Sequence, residues 1–564
     1  MYLVINKIAE LISCSNLNNP QIFKISNHEI VNKPINNPVY ELFEKGLYQF
    51  DRPYFRLENN SLKYIVVPAC YSGEVYFVEK GDQIILSDNF FEICASLKVV
   101  SKDIESFGFF MNKGYFPPGK TWFKEIGRLL PRNIYKIDNH NITGNYINDS
   151  ENFEGLSDHE KYQIFKKRLN SAILYNSSSE QKHGVMLSGG VDSRLIALIL
   201  GANNQEINTY TIKQSPISIG NLLDVKLAAQ FSNDIGVTHN VPELNFKNLE
   251  LNELDYIISE MPLTVHISLN FLALGSAMKN DGIVNSWCGQ NLDNLYNLGP
   301  TGKLDFSIPG MTSLFRRYFL SDMYISALDK VEGGFLVNTL IQKAIGVSGA
   351  KLYSTLKRTG YKPPKDVYEF IQNFNTSYDN TIFTNLDKKS IQGDIKDSSI
   401  TLQSVRNELF KQKVEGYLSS GESEVVFQTN MKNNLTTILP YSSEIMIPIL
   451  RSLRTTIKDV LKPKRFMYKY TNEFSTVYGK SVMDFNLRTE NELTKEHNQN
   501  YDAHYAANQI LNTTVFGRQL KEINKDTIKH KSFTNVQYLR INLINYWKHK
   551  IWSTLNELNV EIRE

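Results

Sequence analysis

The stretch that most constrains the fold is "HGVMLSGGVDSRLIALIL", residues 183–200. An apolar, strand-like run ends in Ser188, Gly189 and Gly190, and an apolar, helix-like run begins directly after them. A strand that turns into a helix through two glycines brings several backbone N–H groups to one point and lets a ligand approach closely. The stretch therefore predicts an anion-binding loop at the start of a helix.

The other residues of the loop indicate that the anion is a phosphate. Ser188 and Ser193 offer hydroxyl donors, and the helix that begins near Asp192, after Val191, adds the positive end of its dipole. Asp192 is out of place beside phosphates unless a cation lies between them, and Mg²⁺ takes one or two carboxylates together with phosphate oxygens. The loop lacks both the Gly-Lys-Ser/Thr ending of a Walker loop and the Gly-x-Gly-x-x-Gly dinucleotide fingerprint. We therefore expect residues 188–193 to bind phosphates, with Asp192 as a magnesium ligand.

Strand-like and helix-like segments alternate beyond this loop. The candidate strands are residues 184–187, 207–212, 237–241 and 283–287. The segments between them are long enough for crossover helices, of which the clearest covers residues 221–235 and is ended by Gly236. This alternation predicts an α/β fold in which helices cover both faces of a parallel sheet.

The chain of 564 residues is too long for one hydrophobic core, so we expect two domains. Residues 1–150 contain short β-rich runs separated by turn signals, which predicts a β-rich domain. A polar segment follows, in which Ser157 and Glu160 have the spacing of a capping box before a helix through Phe165. Residues 156–564 then form the predicted second domain, with a large helical part from about residue 305.

The composition argues against several classes of partner. A net charge of +3 gives no case for nucleic acid, and no run reaches the roughly 18–20 apolar residues that span a bilayer. The N-terminal run is interrupted by polar residues, unlike a signal peptide. The cysteines are far apart and suggest neither a zinc site nor a disulfide framework; they are Cys14, Cys70, Cys94 and Cys288. We expect a cytoplasmic protein without membrane or nucleic-acid partners. The oligomeric state stays open, with a homo-oligomer as one alternative.

Several motifs together resemble one known family. "SGGVDS" resembles the pyrophosphate loop of the ATP pyrophosphatase group, whose members cleave ATP between the α- and β-phosphates. "WCGQNLDNLY" (287–296) falls where asparagine synthetases have Ser-Gly-Glu-Gly-x-Asp-Glu-Leu-Phe. Further segments are similar to that family in the same order, namely "GYFPPGKTWFKEIGRLLPRNIYKID" (114–138), "EMP" (260–262), "LPYSSEIMIPILRSL" (439–453) and "KPKRFMYKY" (462–470). The resemblance covers most of the chain and weakens over about 305–435.

The resemblance to asparagine synthetases implies a glutaminase-like N-terminal domain of the Ntn type and a pyrophosphate-loop synthetase domain that uses ATP and Mg²⁺. It implies that Asp192 and Asp293 hold magnesium on the triphosphate. It implies that Lys464 stabilises the acyl-adenylate and the departing charge, with Lys462 as the rival. The remaining nucleotide contacts fall on residues 188–193, on Gly289 and on Thr211 at the end of the second strand.

The chain also departs from the family pattern. Tyr2 stands where glutamine-dependent members expose a cysteine, and Cys14 cannot replace it without processing, so we expect a degenerate glutaminase domain. The nitrogen source would then be free ammonia, ammonia from another protein, or a different amine. Gln290 replaces the glutamate proposed to deprotonate ammonia, and an amide cannot act as a general base. Asn294 and Ser443 replace further acidic residues of the family.

The leading hypothesis is an ATP-dependent, amide-forming ligase that adenylates a small-molecule or peptide carboxylate and releases AMP and pyrophosphate. One version amidates a uronic acid in surface-polysaccharide synthesis, which Arg194 after the loop favours. A second version closes a ring, as in β-lactam synthetases and lasso-peptide cyclases, and a third makes asparagine from ammonia. A nucleotide-binding protein without ligase activity is the alternative from another class, against which both Asp192 and Asp293 speak. A tRNA-modifying enzyme would need paired cysteines or a basic RNA-binding surface, and neither is visible in the sequence.

Overall fold

The computed structural model describes a large part of the chain. The described residues are 2–6, 11–15, 24–26, 53–58, 61–70, 74–81, 83–113, 116–138, 141–147, 153, 155–177, 181–215, 219–245, 250–264, 270–292, 295, 414–418, 422–453, 464–479, 510–512, 514–523 and 535–564. Asp293, Asn294 and Lys462 lie outside them, as does much of the predicted helical part after residue 305.

The first part of the chain is mostly β, as its turn-separated runs predict. Its elements are β1 (Tyr2–Asn6), β2 (Leu11–Ser15), β3 (Lys24–Ser26), β4 (Tyr54–Glu58), β5 (Ser61–Val67), β6 (Tyr76–Lys80), β7 (Gln83–Ser87), α1 (Phe90–Leu97), β8 (Val99–Ser101), α2 (Ile104–Lys113), β9 (Gly127–Arg128), β10 (Asn133–Asp138) and β11 (Asn141–Tyr146). Within the described residues they build two five-stranded sheets, ordered β2-β1-β7-β6-β9 and β11-β10-β5-β4-β3. The glutaminase likeness of this part stays a prediction.

The middle of the chain forms the predicted parallel sheet. Its elements are α3 (Asp158–Leu174), β12 (His183–Met186), α4 (Val191–Ala202), β13 (Ile207–Tyr210), β14 (Lys213–Ser215), α5 (Ile219–Asp234), β15 (Thr238–Asn240), β16 (Glu243–Asn245), a 3-10 turn (Leu251–Leu254), α6 (Asp255–Glu260), α7 (Asn270–Asn280) and β17 (Asn285–Cys288). With β18 (Thr436–Ile438), the main strands pair in the order β15-β13-β12-β17-β18, and every pair is parallel. The predicted α/β class is confirmed for this part.

Two hydrophobic layers cover this sheet, one on each face. Val185 packs with α3 and α4, whereas its neighbour Met186 packs with α7 on the other side. Alternate residues of a strand point to opposite faces, so a strand with apolar residues on both sides must be buried on both. The predicted capping box is present at the start of α3, where Ser157 and Glu160 satisfy each other's backbone N–H.

The C-terminal segments complete the parallel sheet and also return to the first part of the chain. They are a π turn (Val414–Leu418), α8 (Glu422–Lys432), a 3-10 turn (Pro440–Ser442), α9 (Ile447–Ser452), α10 (Arg465–Glu473), α11 (Ser475–Tyr478), α12 (Val515–Ile523), α13 (Asn535–Glu557) and β19 (Glu561–Arg563). The last helix, α13, packs in the core, with Trp547 and Leu555 fully buried. The strand β19 pairs in parallel with β8. The Trp552 ring packs edge-on against that of Trp122, with the ring centroids 5.4 Å apart. None of the helices in the described ranges has the length and apolarity to cross a membrane.

The helices α3 and α10 are held together by polar and aromatic contacts. Arg465 donates two hydrogen bonds of 2.8 Å to the carboxylate of Asp158. Phe466 packs against Tyr162 and Phe165, with ring centroids 5.6 and 6.0 Å apart. These contacts fix the start of α10, where Lys464 is the N-cap residue.

A buried polar seam joins the β-rich part to the 3-10 turn after β18. Arg132 and Glu444 form an ion pair of 3.1 Å in which the side chains are 1% and 7% exposed. The other carboxylate oxygen of Glu444 accepts the backbone N–H of Ala69 at 2.7 Å, and Asn133 donates to Glu415 at 3.0 Å. Because buried charges are tolerated when paired, this seam fixes the β-rich part against the segment that follows β18.

Removing one member of this buried pair should destabilise the protein strongly. Arg132→Met leaves the Glu444 carboxylate buried without its cation, a change that costs about 3–5 kcal/mol. Chemical denaturation measures the loss in free energy of unfolding. The matched control is Arg563→Met, which removes a cation from the exposed pair of Arg563 with Glu561 and should leave the unfolding curve unchanged. Equal midpoints for both variants would contradict the structural role of the seam.

Candidate functional site

The strand order creates a crevice beside β12. From β12 the chain moves outward to β13 and β15 on one side, and later crosses to β17 and β18 on the other. In open parallel sheets, ligands bind at the carboxyl ends of the strands where the order reverses in this way. The loop at 187–190 after β12 and the loop at 289–291 after β17 lie at this edge. The fold therefore places the predicted phosphate loop at the position where such sheets bind ligands.

The first N–H groups of the phosphate loop are used to hold the loop itself. The N–H of Ser188 donates to Ser193 Oγ at 3.0 Å, and the N–H of Gly190 donates to Ser188 Oγ at 3.2 Å. The N–H of Gly189 donates to Asp224 Oδ1 of α5 at 3.0 Å. The N-cap residue Gly190 supplies no side-chain acceptor to the start of α4. The N–H groups of 188–190 thus bond to the protein itself, and the two serine hydroxyls shape the loop, so an anion would have to be met by the first turn of α4, at 191–193.

The loop after β17 touches the start of α4 directly. A Cβ atom on Gly289 would lie 3.0 Å from the backbone nitrogen of Ser193 and 3.1 Å from Asp192 Cβ. Both contacts are tighter than ordinary van der Waals distance, so the position accepts only glycine without movement of the helix. Gln290 follows in the sequence and is partly exposed. The structure thus brings Gly289 and Gln290 to the loop at 188–193.

Asp192 is held from two sides by residues far along the chain. Its Oδ2 accepts a hydrogen bond of 2.5 Å from Lys464 Nζ, and both side chains are 16% exposed. Its backbone oxygen accepts one of 2.8 Å from the Tyr441 hydroxyl. Lys464 has a φ of 59°, a left-handed conformation that is costly for a residue other than glycine and is often found at functional sites. Burial and the nearby Asp192 carboxylate raise the pKa of Tyr441, so its hydroxyl keeps its proton and donates it.

The residues present suit a hard divalent cation. Asp192 offers a carboxylate oxygen that already binds a positive charge, the ammonium of Lys464, and oxygen is the ligand that Mg²⁺ prefers. Across the described part of the chain, no group of three or more His, Cys, Asp or Glu side chains could hold a metal by itself. A magnesium ion here would therefore need phosphate oxygens, and the second predicted ligand, Asp293, lies outside the described residues.

The side chains of Thr211 and Arg194, both singled out from the sequence, are buried in contacts with the rest of the protein. The Thr211 hydroxyl donates to the carbonyl oxygen of Leu187 at 2.6 Å and its backbone N–H to that of Asn240 at 3.0 Å, so both groups brace the end of the sheet. Arg194 is 1% exposed, and its guanidinium lies 5.1 Å from the centre of the Phe231 ring. Arg194 therefore packs in the core.

Sequence reasoning missed three residues that shape this edge: Asp224, Tyr441 and Asn291. Asp224 and Tyr441 bind backbone atoms of the loop and of α4, and nothing in their local sequence identifies such partners. Asn291 carries a signal, because it stands at the second glycine of the family's Ser-Gly-Glu-Gly run and has a φ of 73°. A glycine position that is filled by asparagine indicates a left-handed residue with a side chain that can bond locally.

Comparison with known protein families gives one match. The family model described as asparagine synthase matches residues 165–295, a span that contains both loops. No curated protein matches the sequence.

Matching solved structures share little sequence with the chain. The U34-tRNA thiolase NcsA from Methanococcus maripaludis, solved with its 4Fe-4S cluster, is 12% identical with a TM-score of 0.21, and the match covers 59% of this chain and 80% of that one. The NH3-dependent NAD synthetase from Campylobacter jejuni subsp. jejuni NCTC 11168, in complex with nitrate, is 17% identical with a TM-score of 0.19, covering 43% and 99%. The NMN synthetase from Francisella tularensis is 12% identical with a TM-score of 0.19, covering 44% and 98%. With identities and TM-scores this low, the three matches support no conclusion about this chain.

The contact between the two loops predicts a strict requirement for glycine at position 289. In Gly289→Ala the added methyl group meets backbone atoms of α4, which cannot rotate away, so we expect ATP to bind at least about tenfold more weakly. Calorimetric titration with Mg-ATP measures the change. Gly155→Ala is the matched control, since a Cβ there has no atom within 4 Å. Equal affinity in both variants would show that the two loops do not need to be in contact.

Proposed function

We propose that the protein is an ATP-dependent ligase that activates a carboxylate by adenylation and joins it to a nitrogen nucleophile, releasing pyrophosphate and AMP. The observation that carries this proposal is the geometry at Asp192. One carboxylate lies in the first turn of a helix whose N-terminus has no side-chain cap, and it faces a lysine from α10. The asparagine synthase match over both loops supports the same ATP-using ligase class.

The first half of the reaction follows from the chemistry of these groups. The first-turn N–H groups at 191–193 would hold the β- and γ-phosphates, with Asp192 as the ligand of a magnesium ion that neutralises phosphate charge. A substrate carboxylate oxygen attacks the α-phosphorus, and the bond from that phosphorus to the bridging oxygen breaks, so that pyrophosphate leaves. Lys464, partly withdrawn from water, lies where it can stabilise the negative charge that develops on the phosphates.

The second half of the reaction needs an amine that arrives with its own means of losing a proton. Gln290 follows Gly289, which lies against the first turn of α4, and its amide could orient a nucleophile through hydrogen bonds but cannot remove a proton. This favours free ammonia, ammonia from another protein, or an amine of the substrate itself, attacking the acyl carbonyl as AMP leaves. A ring-closing reaction is therefore a specific second candidate.

The acceptor carboxylate is the open part of the proposal. Arg194 gives no support to a uronic acid, because its side chain is buried against Phe231. Release of pyrophosphate from Mg-ATP should therefore be measured against a panel of uronic-acid nucleotides, aspartate and peptides, with ammonia present. We expect release that depends on one class of acid and that is not restored when glutamine replaces ammonia. ATP binding without acid-dependent release of pyrophosphate would favour a nucleotide-binding protein without ligase activity.

Removal of the metal, or of its predicted ligand, should prevent the adenylation step. Asp192→Asn keeps the size of the side chain but loses its charge, so we expect pyrophosphate release to fall at least about a hundredfold, and chelation with EDTA to have the same effect. Glu206→Gln is the matched control, since Glu206 is a surface carboxylate 66% exposed in a pair with Lys182. Unchanged turnover in Asp192→Asn would remove the magnesium assignment.

Lys464 should affect turnover more than binding. In Lys464→Met the aliphatic part of the side chain is kept while its charge is lost, so kcat should fall about 10²- to 10³-fold and the KM for ATP should change little. Lys469→Met, on the same helix and over the Tyr162 ring, controls for loss of a lysine from α10. A rise in KM with an unchanged kcat would show that Lys464 only binds ATP.

A further inference from the structure

Asn291 has a backbone conformation that its environment must maintain. Its φ is 73°, in the left-handed region, and the residue is 5% exposed. Asparagine tolerates this region better than most residues, but a buried example needs partners for its amide group. The carbonyl oxygen of Asn291 accepts the N–H of Leu295 at 3.1 Å, so the backbone of this residue is bonded as well.

The side-chain amide of Asn291 is bound by residues from three separate segments. Nδ2 donates to Ser442 Oγ at 2.7 Å and contacts Cys70 Sγ at 3.7 Å. Oδ1 accepts from Ser423 Oγ of α8 at 2.9 Å. A side chain held at both ends has one orientation, so the backbone at 291 is fixed with it.

The same contacts close a ring around the first turn of α4. Ser442 follows Tyr441, whose hydroxyl donates to the backbone oxygen of Asp192. Gly289 lies two residues before Asn291 and packs on Asp192 and Ser193. The loop after β17 and the first turn of α4 are thus attached to one short 3-10 turn, by Asn291 on one side and by Tyr441 on the other.

The β-rich part of the chain contributes to this ring through Cys70. Cys70 Sγ donates to the carbonyl oxygen of Leu418 at 3.7 Å, and burial raises the pKa of its thiol to about 12. The thiol is therefore neutral and serves as a weak hydrogen-bonding and packing group. The adjacent Ala69 is bound to Glu444, two residues beyond Ser442. The contacts of Asn291 are therefore supported by the buried seam between the two parts of the protein.

We propose that Asn291 is a positioning residue, whose hydrogen bonds to Ser442 and Ser423 fix the loop after β17 against the first turn of α4. This inference rests on the proposed function, since the loop carries Gln290 and precedes the predicted magnesium ligand Asp293. The fixed loop sets the place of the magnesium–triphosphate group, so its loss should weaken the effect of magnesium on nucleotide binding.

The test uses Asn291→Gly, because glycine accepts a φ of 73° without strain while it removes the amide contacts. The measurement is the Kd for α,β-methylene-ATP by calorimetry at 20 °C, with Mg²⁺ and with EDTA, together with the thermal midpoint. In the full-length protein we expect Mg²⁺ to tighten binding about tenfold less in the variant than in the wild type, with both proteins folded at the temperature of measurement. A purely structural role would lower the midpoint without changing this ratio.

Two further variants sharpen the result. Asn204→Gly makes the same change at an exposed residue with a φ of 57°, at the far end of α4, and should leave the magnesium effect unchanged. Ser442→Ala should weaken the magnesium effect by itself and add little in the Asn291→Gly background, because the two residues share one hydrogen bond. Wild-type binding with an unchanged magnesium effect in Asn291→Gly overturns the positioning role alone. Failure of the wild type to bind the nucleotide overturns the proposed function, and this inference with it.

Discussion

The contact between Gly289 and the first turn of α4 is the constraint on which the site depends. It exists because β12 and β17 are parallel neighbours, although about a hundred residues separate them in the chain. Two loops that leave neighbouring strands at the same edge of a sheet compete for the same space. Because Gly289 has no side chain, its loop can pack directly against the first turn of α4. The first turn of α4 and the loop that carries Gln290 therefore form one continuous surface.

The C-terminal segments complete this surface. Tyr441 donates to the backbone oxygen of Asp192 and Lys464 to its carboxylate. Each is held by contacts formed elsewhere: Lys464 by the pairing of α10 with α3, and Tyr441 by a turn attached to the β-rich part. The buried ion pair of Arg132 with Glu444 makes that attachment expensive to break. Whatever chemistry the β-rich part performs, it also holds the turn that supports the site.

Much of the fold was predictable because its signals are local. The capping box at Ser157, the turn at Gly236 and the strand–loop–helix at 183–200 each depend on a few neighbouring residues, and the structure confirms all three elements. The hydroxyl of Thr211 and the guanidinium of Arg194 were less predictable, since the sequence does not show which face of a strand or helix is buried. Asn291 was missed for a related reason, because its three partners lie 132 to 221 positions away.

The sequence by itself determined the class of the sheet, the phosphate loop and the residue types available for ATP chemistry, because strand period, glycine placement and charge are properties of short segments. Only the tertiary structure decided which groups meet. It placed the Lys464 ammonium on Asp192, tied the 3-10 turn at 440–442 to the first turn of α4 and to Asn291, and buried Arg194 in the core. These arrangements depend on contacts between segments far apart in the chain. The free energy that selects them comes from the packing of the whole core, which no short segment determines.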